Sequence, residues 1–127
     1  MLLETVRISQ SARDQLMRLK RDTGIQNWNV LCRWALCLSL AEPSIPPPAK
    51  IVADSNVEMK WETFGGEHAD TYDVIFRQRC FEDGVELSDE SIGEYFKLHL
   101  HRGIGYLFGD KKYRDIIGFI KNSEVSR

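Results

Sequence analysis

From Trp28 to Leu40 the chain is apolar at nearly every position, with Arg33 and Ser39 the main interruptions. At helical rise this stretch spans roughly 20 Å, short of a bilayer core of about 30 Å. A helix that is apolar on almost every side has to be surrounded by protein. A chain of 127 residues has few elements with which to wrap it. Part of the cover is therefore expected from a second copy of the chain.

The segments around that helix have clearer periods. Thr5-Val6-Arg7-Ile8 alternates as a short, half-buried strand does. Ser9 or Ser11 can cap the helix that follows. In that helix Ala12, Leu16 and Leu19 recur at i, i+4 and i+7, and Gly24 stands where a left-handed residue would end it. With Arg13 set at zero and 100° per residue, Lys20 falls near roughly −20°, Arg21 near 80° and Arg18 near 140°, and the apolar stripe lies near 240–300°. Four cations thus share the outward side, relieved only by Asp14 and Asp22. Ile25 to Asn29 is a tight connection, and the apolar helix has to stop before Pro43.

Strand, amphipathic helix, turn and apolar helix is the order of a ribbon-helix-helix unit, in which two chains pair their strands and interlock their second helices. The predicted fold is mainly α: this unit over residues 1–43, a Pro-rich extended connector over 44–50, and a mostly helical remainder over 51–127, in one domain. In the remainder, Val57, Met59 and Trp61 alternate as a short strand, which Gly65-Gly66 breaks. A helix is expected from Glu67 to Glu82, with Tyr72, Ile75, Phe76 and Cys80 inward. Asp83-Gly84 closes it. A longer one runs from about Asp89 to Phe108 on Ile92, Tyr95, Phe96, Leu100, Ile104 and Leu107, where Gly103 and Gly105 would admit a close neighbour. A last short helix is expected over Lys111 to Lys121, with Tyr113, Ile116, Ile117 and Ile120 inward.

Composition is that of an ordinary globular domain, 43% apolar and 28% charged. The first residues lack the basic-then-apolar layout of a signal peptide, so a soluble, cytoplasmic protein is expected, with no membrane partner. Charge is unevenly placed: residues 1–50 carry seven Lys/Arg against four Asp/Glu, and residues 51–127 carry ten against fifteen. The basic third is a candidate surface for a polyanion.

The search for chemistry comes back empty. His99 and His101 would point about 200° apart on a helix and cannot share an ion. Cys32 and Cys37 are poorly aligned for a dithiol, and Cys80 has only Arg77 and Arg79 nearby to favour a thiolate. The carboxylates from Asp70 to Glu90 are spread over helix ends and loops, with none marked as acid or base. No catalytic residue, metal or cofactor is expected. Among the aromatics, Trp34 belongs in the core. Trp28 stands at a helix N-terminus between Asn27 and Asn29, where backbone N–H groups could hold a phosphate. That end is a second candidate contact.

The residues Gly24-Ile25, the run Asn29-Val30-Leu31-Cys32-Arg33-Trp34-Ala35-Leu36 and the run Leu38-Ser39-Leu40-Ala41-Glu42-Pro43 resemble the DndE family, a small component of bacterial DNA phosphorothioation (DNA sulfur modification) systems. RISQSARDQLMRLK near the start and LHLHRGIGYL, Leu98 to Leu107, agree with it. The resemblance implies a ribbon-helix-helix-like core in a homotetramer, binding to double-stranded DNA with a preference for nicked duplex, and no catalytic residue. It also implies action beside the desulfurase, iron–sulfur and ATPase-like sulfur-modification proteins. The DNA-binding residues, Arg7, Arg13, Arg18, Lys20 and Arg21, come from the helical projection and the strand alternation, not from a family motif. With only Thr5 and Arg7 facing outward, the strand is a thin set of base readers. Helix-borne cations on phosphates would instead grip without sequence preference. The alternatives are a ribbon-helix-helix transcriptional regulator reading an operator with that strand, and a scaffold docking proteins through the acidic residues 67–94.

Overall fold

The computed structural model describes residues 3–110. Strand β1 (Thr5–Arg7) leads into α1 (Gln10–Thr23) and α2 (Trp28–Ala41). After the extended connector come β2 (Glu58–Lys60), a short α3 (Trp61–Gly65), a 3-10 turn (Gly66–His68), α4 (Ala69–Glu82) and α5 (Asp89–Gly109). The expectation for Lys111 to Lys121 lies outside the described residues.

The predicted strand–helix–helix order is present, and β1 finds its partner within the chain. It pairs antiparallel with β2 in the register Val6 to Met59. The ladder extends at both ends, through Trp61 N–H to the Glu4 carbonyl at 3.0 Å and Ile8 N–H to the Val57 carbonyl at 3.4 Å. Val6 and Met59 turn inward, while Arg7 and Glu58 face out as an ion pair at 3.9 Å. Trp61 opens α3 instead of continuing β2 and is fully buried.

Local signals set the helix ends. Ser9 accepts from the Ala12 N–H at 3.1 Å, and Ser88 caps α5 from the Ser91 N–H at 3.2 Å. Gly24 ends α1 at φ 74°, its N–H donating to the Lys20 carbonyl at 2.8 Å. Ala12, Leu16 and Leu19 are the buried stripe of α1, as the period requires.

The central element is α5, not α2. It buries Ile92, Tyr95, Phe96, His99, Leu100, Gly103, Ile104 and Leu107. Against it α2 turns only one face: Leu31, Cys32, Ala35, Leu36 and Ser39. The two backbones meet at Gly103, where an added Cβ would stand 1.8 Å from the Ala35 carbonyl oxygen. Only glycine fits there. Gly105 has open space instead. The other face of α2 is incompletely covered: Trp34 and Leu38 are half-buried and Cys37 is exposed. Trp34 thus lies at the surface of the core, contrary to the apolar context that placed it inside. On α4, Phe76 and Cys80 are buried and Tyr72 half-buried, but Ile75 is 48% exposed. With Phe76 seated against Phe96 of α5, Ile75, one residue earlier, faces out. Trp61, Phe64, Phe76 and Phe96 form an aromatic knot with centroids 5.1–5.5 Å apart. Each such pair contributes about 0.5–1.5 kcal/mol beyond its area burial.

Candidate nucleic-acid interface

The surface singled out from the sequence resolves into two sides of α1. On one side Arg13 lines an open groove of about 530 Å³. Its other walls are the start of α2 (Gln26, Asn27, Trp28 and Asn29) and the strand residues Asn56 to Met59. Lys20 leans over the same wall, its ammonium 4.2 Å from the centroid of the Trp28 ring. On the far side of α1, Arg18 lies 6.0 Å from the ring of Phe108 near the end of α5. Arg21 is exposed. Arg7 stands apart on the sheet, engaged with Glu58. The fold therefore joins Arg13 and Lys20 to the second candidate contact, the α2 N-terminus, and leaves Arg7 outside the cluster.

Several groups at the groove keep hydrogen-bonding capacity. Arg13 Nε donates to Asn56 Oδ1 at 3.0 Å and lies 3.6 Å from Asp14, and among the described residues the Asn56 amide hydrogens have no acceptor. Asn29 Nδ2 donates to the Thr63 carbonyl at 3.2 Å, so its own oxygen remains an acceptor. Asn27 is the N-cap of α2, yet its side chain makes no capping bond. Among the described residues the first N–H groups of α2 thus have no capping side chain, and the helix dipole leaves partial positive charge there. Asn56 and Glu58 could not be foreseen at this groove, because the β1–β2 pairing that brings them spans some fifty residues.

The other polar centre of the molecule is closed. Arg79 donates to the Leu40 carbonyl at 2.9 Å and the Glu42 carbonyl at 2.8 Å, and bridges to Asp83 at 2.8 Å. Arg102 donates to the Ser39 carbonyl at 2.7 Å, the Ser44 carbonyl at 2.9 Å and Ser39 Oγ at 2.9 Å. Two arginines from other helices thus cap the C-terminal carbonyls of α2, whose own last turn holds no basic residue. Burial works against the Asp83 carboxylate, yet bonds from Tyr95 and Arg79 hold its pKa below the ordinary range. Buried His99 lies beside this clamp, its Nδ1 2.8 Å from Ser39 Oγ. Burial, with Arg79 and Arg102 adding to it, lowers its pKa to about 4. Burial also raises Cys32 to about 12, and burial with Asp83 raises Cys80 to about 11. His101 lies on another side of α5: its Nε2 accepts from the Ser9 N–H at 3.1 Å and its Nδ1 donates to the Lys97 carbonyl at 2.8 Å. Among the described residues there is no group of three metal-ligating side chains, and no helix is long and apolar enough to cross a membrane.

The family model of the DNA sulphur modification protein DndE matches residues 5–115. The chain belongs to the DndE family. The family ties it to DNA phosphorothioation. The crystal structure of DndE from Escherichia coli B7A, involved in DNA phosphorothioation modification, superposes with a TM-score of 0.71 at 23% identity, covering 84% of this chain and 98% of that one. A glycine-to-lysine mutant of DndE, also involved in DNA phosphorothioation, gives a TM-score of 0.65 at 20% identity, covering 84% of this chain and 100% of that one. No curated protein matches the chain. At these identities the two structures establish the DndE fold, mainly helical with one short antiparallel sheet, and leave the interface to be argued from this chain's residues.

Proposed function

We propose that this DndE chain is a non-catalytic, sequence-tolerant subunit that grips double-stranded DNA for the phosphorothioation machinery, preferring nicked duplex and working as a homotetramer. The observation that carries the reading is the meeting of the α1 cations with the uncapped start of α2. Arg13 and Lys20 flank the groove. Arg18 and Arg21 extend positive charge around α1. Such an array neutralises phosphates and releases counterions, giving affinity that does not depend on sequence. The non-catalytic part is supported by two of the three cysteines, Cys32 and Cys80, which are buried with raised pKa values, and by His99, sealed under the arginine clamp, while Cys37 is exposed. Assembly is supported by the outer face of α2, where Val30, Trp34, Cys37 and Leu38 border a shallow groove of about 310 Å³ with Tyr72. A sister subunit would cover it, and four copies would let modest patches add through multivalency.

The test is the triple variant Arg18→Ala, Lys20→Ala, Arg21→Ala. Its affinity for nicked duplex should fall at least tenfold and its salt dependence should flatten, while light scattering still gives four times 14.7 kDa. Unchanged affinity in the folded variant would remove this face from the reading. The scaffold alternative retains one specific observation: Val74 and Phe81, two turns apart on α4, are 67% and 70% exposed within the acidic stretch. Co-purification of partner proteins that survives loss of the α1 cations would favour that role beside the DNA-binding one.

A further inference from the structure

We infer that the groove between α1, the start of α2 and β2 receives a single unstacked nucleobase from the interrupted end of a duplex. This rests on the DNA-binding reading and adds what the groove itself recognises. Its size, about 530 Å³, is that of a small-molecule site. Its chemistry suits a flat, neutral, hydrogen-bonding ligand. Trp28 supplies an aromatic wall, with the Lys20 ammonium 4.2 Å from its ring centroid. Among the described residues the Asn27 side chain makes no capping bond, the Asn29 oxygen remains an acceptor and the Asn56 amide hydrogens remain donors, as the edge of a base requires. Glu58 also lines the groove, and its carboxylate, 3.9 Å from Arg7, keeps acceptor capacity for the amino or imino N–H groups of a base. The anionic backbone is left to Arg13 and Lys20 beside the groove, and to the cations farther round α1.

The geometry also supplies a physical reason for a preference for nicks. Drawing a base out of an intact duplex costs unstacking and unpairing on both sides, whereas the base at a nick has lost the covalent restraint on one. Stacking on an indole is tolerant of base identity, because every base has a π-face. The site would therefore sense a discontinuity and not a sequence.

Two measurements on the full chain decide it. Nicked duplexes are compared with and without the base at the nick end. Removing that base should weaken wild-type binding about tenfold, the scale of one base–aromatic stack. Trp28→Leu, which keeps apolar bulk against the helix, should lose that sensitivity and bring nicked and intact affinities together. Independently of any variant, 5-iodouracil at the nick end should crosslink on irradiation to the peptide holding Trp28. Firm binding with no base dependence, or a crosslink elsewhere, would overturn the inference and leave the cationic grip standing. Loss of all duplex binding would instead bring down the reading beneath it.

Discussion

Two corners of this molecule concentrate arginine, and they use it in opposite ways. At the end of α2, Arg79 and Arg102 reach in from α4 and α5 and spend their N–H groups on carbonyls of Ser39, Leu40, Glu42 and Ser44. Around α1, beside the start of α2, Arg13 makes one amide bond and a loose ion pair, and Arg18 (on the Phe108 side), Lys20 and Arg21 make no ion pair among the described residues. The same side-chain chemistry serves as a structural cap at one end of the helix and as unspent charge at the other. A guanidinium whose donors are satisfied by backbone has nothing left for a ligand. Counting cations along a sequence cannot make that distinction; their hydrogen bonds can.

The comparison is broken most severely through the clamp. The Arg79 side chain is 11% exposed and the Asp83 side chain 13%. Arg79→Ala would leave that carboxylate without its cation and take a donor from the carbonyls of Leu40, Glu42 and Ser44 at once. Removing one member of such a pair costs about 3–5 kcal/mol, and a loss near 3 kcal/mol is expected in chemical denaturation. The affinity of the remaining folded protein for duplex DNA should stay within twofold. A cost below 1 kcal/mol would mean that the clamp is decorative, while a large loss of DNA affinity at unchanged stability would move the interface to this corner.

Acidification tests the same corner with a smaller effect. His99 is fully buried, and its Nε2 has no hydrogen-bond partner among the described residues. Arg79 and Arg102 oppose its protonation and Asp83 only partly offsets them. The folded pKa of about 4 lies below the ordinary 6.5, so the unfolded chain binds the proton more readily between these values. Stability from this group is therefore present above pH 6.5 and lost as pH falls toward 4, by up to about 3 kcal/mol. His101, also lowered first by burial, adds a change of the same sign. The contribution of His99 is isolated by comparing urea midpoints of wild type and His99→Gln at pH 7 and pH 4.5. The variant should show the shallower fall, and parallel curves would show that His99 titrates normally.

Much of this fold was legible because its signals are local. Ser9, Gly24 and Ser88 mark helix ends whatever lies elsewhere in the chain, and the periods of Ala12–Leu16–Leu19 and of Ile92 to Leu107 named the buried faces correctly. What failed depended on long-range packing. An apolar run told that α2 needed cover, but only the docking of α5 decides that Ala35 is inside and Trp34 half outside. The cations of α1 were legible as a surface. Their division into a groove side and a Phe108 side was not, since Phe108 and Asn56 come from distant elements. The clamp was invisible for the same reason: nothing near Leu40 or Glu42 announces arginines from α4 and α5.

The smallest expected effect concerns Arg7, the one proposed contact that the fold sets apart. Its side chain is about half exposed and lies 3.9 Å from an equally exposed Glu58. Such pairs contribute about 0–1 kcal/mol, so Arg7→Ala should leave stability within roughly 0.5 kcal/mol. The partial neutralisation by Glu58 also weakens Arg7 as a phosphate ligand. Loss of DNA affinity should be no more than about twofold, in line with fewer than one phosphate contact in the salt slope. The measurement is a salt titration of nicked-duplex binding beside that of the α1 triple variant. A tenfold loss on Arg7→Ala, especially one confined to a particular sequence, would return the strand to the role of base reader and favour an operator-binding protein over a backbone grip.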